Sequence, residues 1–122
     1  MKIKESAENY LETIYLLRNK NGNVRSIDIA HELNFSKPSV SVAMKNFREE
    51  GYIFVDDLGN ITLTEKGEEI AKRMYERHNL IAKALIAIGV SEETAYIDSC
   101  KIEHYLSNET FEKIKEYFSK MI

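Results

Sequence analysis

The sequence predicts a mainly α fold: a winged helix-turn-helix with a small β-hairpin wing, followed by an all-helical dimerisation module. Three observations carry this. Apolar residues recur at helical spacing through most of the chain. A short helix, a tight turn and a second, well-capped helix follow one another before Gly51, the order that lets one helix lie in a DNA major groove. Directly after Gly51 the period changes to a β-favouring run.

The elements follow in order. Ala7, Tyr10, Leu11, Ile14 and Leu17 form one helical face, with Ser6 placed to cap it and Asn21-Gly22-Asn23 to stop it. Ser26-Ile27-Asp28 opens a short helix that ends near Leu33-Asn34, with Asp28 in the first turn. Ser36 caps the third helix and Pro38 sits in its first turn. Val40, Ala43, Met44 and Phe47 are its inner stripe, and Gly51 closes it. Tyr52–Val55 and Ile61–Leu63 read as strands around a turn at Asp57-Leu58-Gly59-Asn60. Thr64 caps a long helix running to about Ile88, where Gly89 ends it. Ser91 starts a helix reaching His104, and Ser107 starts the last, with Phe111, Ile114 and Phe118 on its inner face. The module boundary falls near Leu63, giving a DNA-binding domain at 1–63 and a helical domain at 64–122.

Composition narrows the class. The 122 residues are 43% hydrophobic and 30% charged, so a packed core is expected. One cysteine excludes an internal disulfide framework and fits a reducing cytoplasm. MKIKESAENY has no apolar signal core, and Leu80 to Val90 is too short to span a bilayer. Net charge is −3, so any nucleic-acid binding must come from a local surface.

That surface is expected on the third helix. With its apolar stripe inward, Lys37, Ser39, Ser41, Val42, Lys45 and Asn46 face outward. Ser36, Pro38, Ser39 and Ser41 are small enough for close approach to base edges, and Pro38 and Val42 suit thymine methyls. Lys37, Lys45, Arg25 and Arg48 suit phosphates. No arginine stands where a bidentate guanine contact is expected, so part of the readout is assigned to DNA shape. Taken alone, the helix also fits an ordinary solvated face.

The chemical cluster is Cys100-Lys101-Ile102-Glu103-His104. On a helix, positions 100, 103 and 104 share a face, gathering thiol, carboxylate and imidazole where one transition-metal ion can touch all three. Read alone, the string also fits a small buried thiol beside a surface ion pair. Asn9 and Glu12, one turn apart in the first helix, and His78 in the long helix are further ligand candidates. Glu8 is expected on a more exposed flank as solvated charge, and His31 on the surface.

Five strings carry a resemblance: Ala7 to Tyr15, Ser36 to Ser41, Leu63 to Gly67, Arg77 to Leu80, and Cys100 to Ser107. In them the chain resembles the diphtheria-toxin-repressor family of metal-dependent transcriptional repressors, including its manganese-transport-regulator branch. The resemblance implies a homodimer that binds double-stranded operator DNA of metal-uptake genes when metal is plentiful. It implies that Cys100, Glu103 and His104 match the main metal site, and that Glu12 and His78 match ligands of the manganese-type paired site. Asn9 stands where the family presents Met or Asp. Ala82 and Tyr96 replace ligands of the iron-type ancillary site, which is expected to be missing, as is the SH3-like third domain. A thiolate beside Glu12 mixes the two branches and shifts preference from Mn²⁺ towards Fe²⁺, Co²⁺, Ni²⁺ or Zn²⁺. Fe²⁺ or Mn²⁺ is the expected physiological ion.

The expected switch is a clamp in which metal ties the first helix to the helical module. Rival readings are a winged-helix regulator answering to a non-metal ligand, a small metal or thiol enzyme, and a dimeric adaptor. An enzyme is disfavoured because Cys100 and His104 lack an orienting third group, and the short chain leaves little room for a substrate cleft. No small-molecule substrate and no membrane partner are expected. Apolar residues in Leu80–Ile88 and Phe111–Ile122 exceed what so small a module buries alone, which points to a second copy.

Overall fold

A computed structural model describes residues 5–120. The order is α1 (Glu5–Asn21), α2 (Ser26–Leu33), α3 (Lys37–Glu49), β1 (Ile53–Val55), β2 (Ile61–Leu63), α4 (Glu65–Ala87), α5 (Glu92–Ile102) and α6 (Asn108–Ser119). Two compact units divide the chain inside α4, one ending at Lys72 and the next starting at Arg73.

The first unit is the winged helix-turn-helix. Leu11, Ile14, Val24, Ile29, Val40, Ile53 and Ile61 are its fully buried centre. Tyr10 packs edge-on against Phe35 and Phe47, at 5.6 and 5.7 Å between ring centroids. Ser6 lies inside α1, within the first turn, so it is not the cap. The backbone N–H of Arg25, the N-cap of α2, donates to the Asp28 carboxylate at 2.9 Å. Asn34 ends α2 in the left-handed region at φ 57°, a conformation its short polar side chain tolerates. The tight turn then delivers Ser36, whose hydroxyl accepts from the Ser39 N–H at 3.3 Å and starts α3.

The wing is an antiparallel pair with Ile53 opposite Leu63 and Val55 opposite Ile61. Its turn is organised by Asp56, one residue earlier than the expected turn. The Asp56 carboxylate accepts the N–H groups of Leu58 and Asn60, both at 2.9 Å. These bonds, led by that from Asn60, hold its carboxyl below the usual carboxylate range. Arg25 donates to the Leu58 carbonyl, joining the wing tip to the start of α2.

Wing and α4 meet at a tight corner. Thr64 accepts the Gly67 N–H at 3.1 Å and donates its hydroxyl to the Gly51 carbonyl at 2.7 Å. A Cβ on Gly67 would stand 2.1 Å from the Tyr52 carbonyl oxygen, so only glycine fits there. Lys66 reaches over the Tyr52 ring, 4.2 Å from its centroid.

In the second unit, α4 ends at Ala87 and Gly89 takes φ 106°. Ser91 and Ser107 cap α5 and α6 through the N–H groups of Thr94 and Thr110. Phe111 is buried, and Ile114 and Phe118 are half-buried on the same side of α6. Helix α5 stops at Ile102, with Glu103 as its C-cap and His104 in the following turn. The expectation of one helical face through His104 is therefore corrected: the α5–α6 turn carries the last ligand candidate. Met121 and Ile122, part of the apolar C-terminal run, lie outside the described residues.

Candidate metal centre

The cluster of the second unit is built from one turn of α4 and the end of α5. His78 points its Nδ1 at α5, 3.0 Å from Ser99 Oγ, 3.4 Å from Cys100 Sγ and 3.3 Å from Glu103 Oε2. The Ser99 hydroxyl donates to the Tyr96 carbonyl at 2.9 Å, so toward His78 it is an acceptor. On the other side of Glu103, Oε1 lies 3.4 Å from His104 Nε2, and the His104 side chain is fully buried. The Tyr96 ring is tilted against His78, 5.5 Å between centroids.

The electrostatics call for a cation. Glu103 is 1% exposed, and among the described residues its Oε2 makes no well-formed hydrogen bond, only the 3.3 Å ion-pair contact with His78 Nδ1. A carboxylate buried this deeply is costly unless a cation neutralises it. The His78 imidazole is pushed up to about 10, first by its hydrogen bond to Cys100 and next by that to Glu103, against the opposing effect of burial. One thiol, one carboxylate and two imidazoles are a transition-metal donor set, and His78 and Glu103 offer their atoms closely enough to serve one ion. The residues fit a divalent metal.

Two groups to which the sequence reading gave no role support this site. Ser99 is fully buried and orients His78. Arg77 is buried and donates to the Glu103 carbonyl at 3.1 Å, to the Leu106 carbonyl at 2.8 Å and to Asn108 Oδ1. Both look like routine polar residues along the chain, because the partners that give them their roles stand on other elements.

In the first unit Glu12 is buried and Asn9 half-buried on α1. Glu8, expected as solvated charge, is also buried. It shares the helix face of Glu12 at a step of four, and that face is inward. His31 is exposed, as expected. Arg25, Ser36, Lys37, Pro38, Ser39, Ser41, Val42, Lys45 and Asn46 are all exposed, and Val42 shows 60% of its surface. The guanidinium of Arg25 is engaged at the wing tip, so this residue has a structural task besides any phosphate contact.

A winged helix-turn-helix followed by helices that gather a transition-metal donor set defines the class: a DNA-binding fold with a candidate metal centre. Comparison with known proteins gives the family. Residues 2–57 match the iron dependent repressor N-terminal DNA binding domain, and residues 64–121 match the iron dependent repressor metal binding and dimerisation domain. An uncharacterized HTH-type transcriptional regulator of Methanocaldococcus jannaschii is 36% identical over 120 residues, covering 97% of this chain and 96% of that protein. The HTH-type transcriptional regulator MntR of Lysinibacillus sphaericus is 37% identical over 116 residues, covering 95% and 84%. The solved manganese regulator SloR superposes with a TM-score of 0.80 at 25% identity, over 93% of this chain and 53% of its own. The chain thus spans about half the length of that solved relative. A hypothetical protein from Sulfolobus solfataricus shares the fold, with a TM-score of 0.73 at 21% identity, over 97% and 91%. The chain belongs to the iron-dependent repressor family, that of the diphtheria-toxin repressor.

Proposed function

We propose that the chain is a cytoplasmic metal-dependent transcriptional repressor, not an enzyme, which as a homodimer binds operator DNA of metal-uptake genes when Fe²⁺ or Mn²⁺ is plentiful. The observation that carries the reading is the buried Glu103 carboxylate set beside His78, with Cys100 and His104 adjoining. His78, Cys100, Glu103 and His104 would hold the ion, joined by Glu12 and Asn9 from α1. An ion bound there would supply positive charge that offsets Glu12 against Glu103 and would tie α1 to the helical module. Cys100 makes the site receptive to Fe²⁺, Co²⁺, Ni²⁺ and Zn²⁺ as well as Mn²⁺.

The exposed face of α3 reads DNA. Ser36, Pro38, Ser39, Ser41, Val42 and Asn46 meet base edges, and Lys37, Lys45 and Arg25 meet phosphates. In the dimer, two such helices address half-sites roughly 34–36 Å apart or a multiple of it. A ligand that binds only the DNA-competent state stabilises it by about 2.7 kcal/mol at a hundredfold excess over its Kd, enough to saturate a half-populated state. The test is operator binding by fluorescence anisotropy under anaerobic conditions, with Fe²⁺ or Mn²⁺ and then with excess chelator. Affinity should fall on chelation and return on adding metal. Equal affinity in both conditions refutes the switch.

A further inference from the structure

We infer that Arg77 is a positioning residue of the metal centre, holding the turn that delivers Glu103 and His104 to the ion; this rests on the metal reading above. Arg77 precedes His78 on α4, so the helical turn that supplies one ligand also carries the anchor for two others. Its Nη1 donates to the carbonyls of Glu103 and Leu106, at 3.1 and 2.8 Å, and its Nη2 to Asn108 Oδ1. These acceptors bracket residues 103–108, from the C-cap of α5 to the first residue of α6. The segment between the helices has no strand or helix of its own to fix it. The guanidinium also lies over the Phe111 ring, 5.1 Å from its centroid, which seats the fork against the inner face of α6.

The fork geometry matters. A guanidinium presents several donors in one rigid plane, whereas a lysine ammonium is a point donor on a flexible stem. Arg77 itself is 5% exposed, so its charge is held by these acceptors in place of water. The position of Cys100, by contrast, is set by α5 itself. Loss of Arg77 should therefore disturb Glu103 and His104 while leaving the thiol in position.

Cobalt separates these effects, because thiolate-to-Co²⁺ charge transfer in the near ultraviolet reports Cys100 and the visible ligand-field bands report the whole donor set. Wild type, Arg77→Met, Arg77→Lys and Asn108→Ala are titrated anaerobically with Co²⁺ against a competing chelator, with circular dichroism of each metal-free protein. Arg77→Met should keep the near-ultraviolet band at saturation, change the visible bands, and lose affinity by about 10–100-fold. Arg77→Lys should recover part of that loss. Asn108→Ala, which leaves the buried arginine in place, should show a smaller loss in the same direction and decides the matter should Arg77→Met not fold. Wild-type affinity and visible bands in Asn108→Ala and Arg77→Lys, or in a folded Arg77→Met, overturn the assignment. A wild-type chain that binds no Co²⁺ refutes the metal reading itself, and is told apart by that first titration.

Discussion

Cys100 is a side chain on which the proposed metal response depends and the fold does not. It is exposed at the end of α5, yet its sulfur lies 3.4 Å from His78 Nδ1. Removing an exposed side chain changes stability by about 0.5 kcal/mol or less. Removing a thiolate from a donor set costs soft ions more than hard ones. Cys100→Ala should therefore keep the denaturant midpoint of the metal-free chain while weakening Co²⁺ at least about tenfold and Mn²⁺ less. Competition titrations with the two ions check this, and equal losses for both would show that the sulfur is not a ligand. Glu103 is the opposite case. It is buried with the ion pair to His78 and lies beside His104. The residue types at 100, 103 and 104 were legible in the sequence as ligand candidates. Their geometry was not, because nothing in the residue types marks a helix end before His104, whereas the structure ends α5 at Ile102.

Elements are set mainly by their ends. Ser36, Ser91 and Ser107 each accept an N–H three residues on, as their positions before apolar runs predict. These local signals are short-range, which is why the order of elements could be read from the chain. The corner between wing and α4 could not, since its logic is a close approach of Tyr52 and Gly67 across the hairpin. A β-carbon at position 67 must displace the Tyr52 carbonyl, which is backbone and cannot swing aside. Gly67→Ala should destabilise the first unit by about 1–3 kcal/mol, read as a shift of the denaturant midpoint at constant slope. An unchanged midpoint would mean the corner opens freely. Thr64→Ala removes both the cap on Gly67 N–H and the bond to the Gly51 carbonyl, and should cost about 1 kcal/mol in the same measurement. Arg25 belongs to the same group of long-range devices. Its charge suggested phosphate, and its position serves the wing tip as well.

At the scale of the whole molecule, the difficulty is a chain of net charge −3 that must approach a polyanion. The proposed solution is local: Lys37 and Lys45 are exposed on α3, and Arg48 follows in its last turn. Removing one cation that neutralises a phosphate makes the salt dependence of binding shallower by about one in the log–log slope. Lys45→Ala should do this while weakening specific and non-specific DNA alike, measured by anisotropy over a salt series, and an unchanged slope would remove Lys45 from the interface. Two-fold symmetry then multiplies the effect of each helix. In the second unit Ile88, Ile97 and Tyr117 are 70, 51 and 65% exposed on a single chain, and no helix of the described residues is long and apolar enough to cross a membrane. Water is a poor environment for such side chains, and each gains about 1.5–3 kcal/mol on full burial against a partner. A second copy of the metal binding and dimerisation domain is the partner its family implies. Replacing Ile88 and Ile97 together by Asp should convert the dimer to a monomer in analytical ultracentrifugation and leave helicity unchanged. It should also reduce operator affinity far more than affinity for non-specific duplex, because only a paired protein spans both half-sites. A dimer that survives with unaltered operator affinity would place the interface elsewhere on the helical unit.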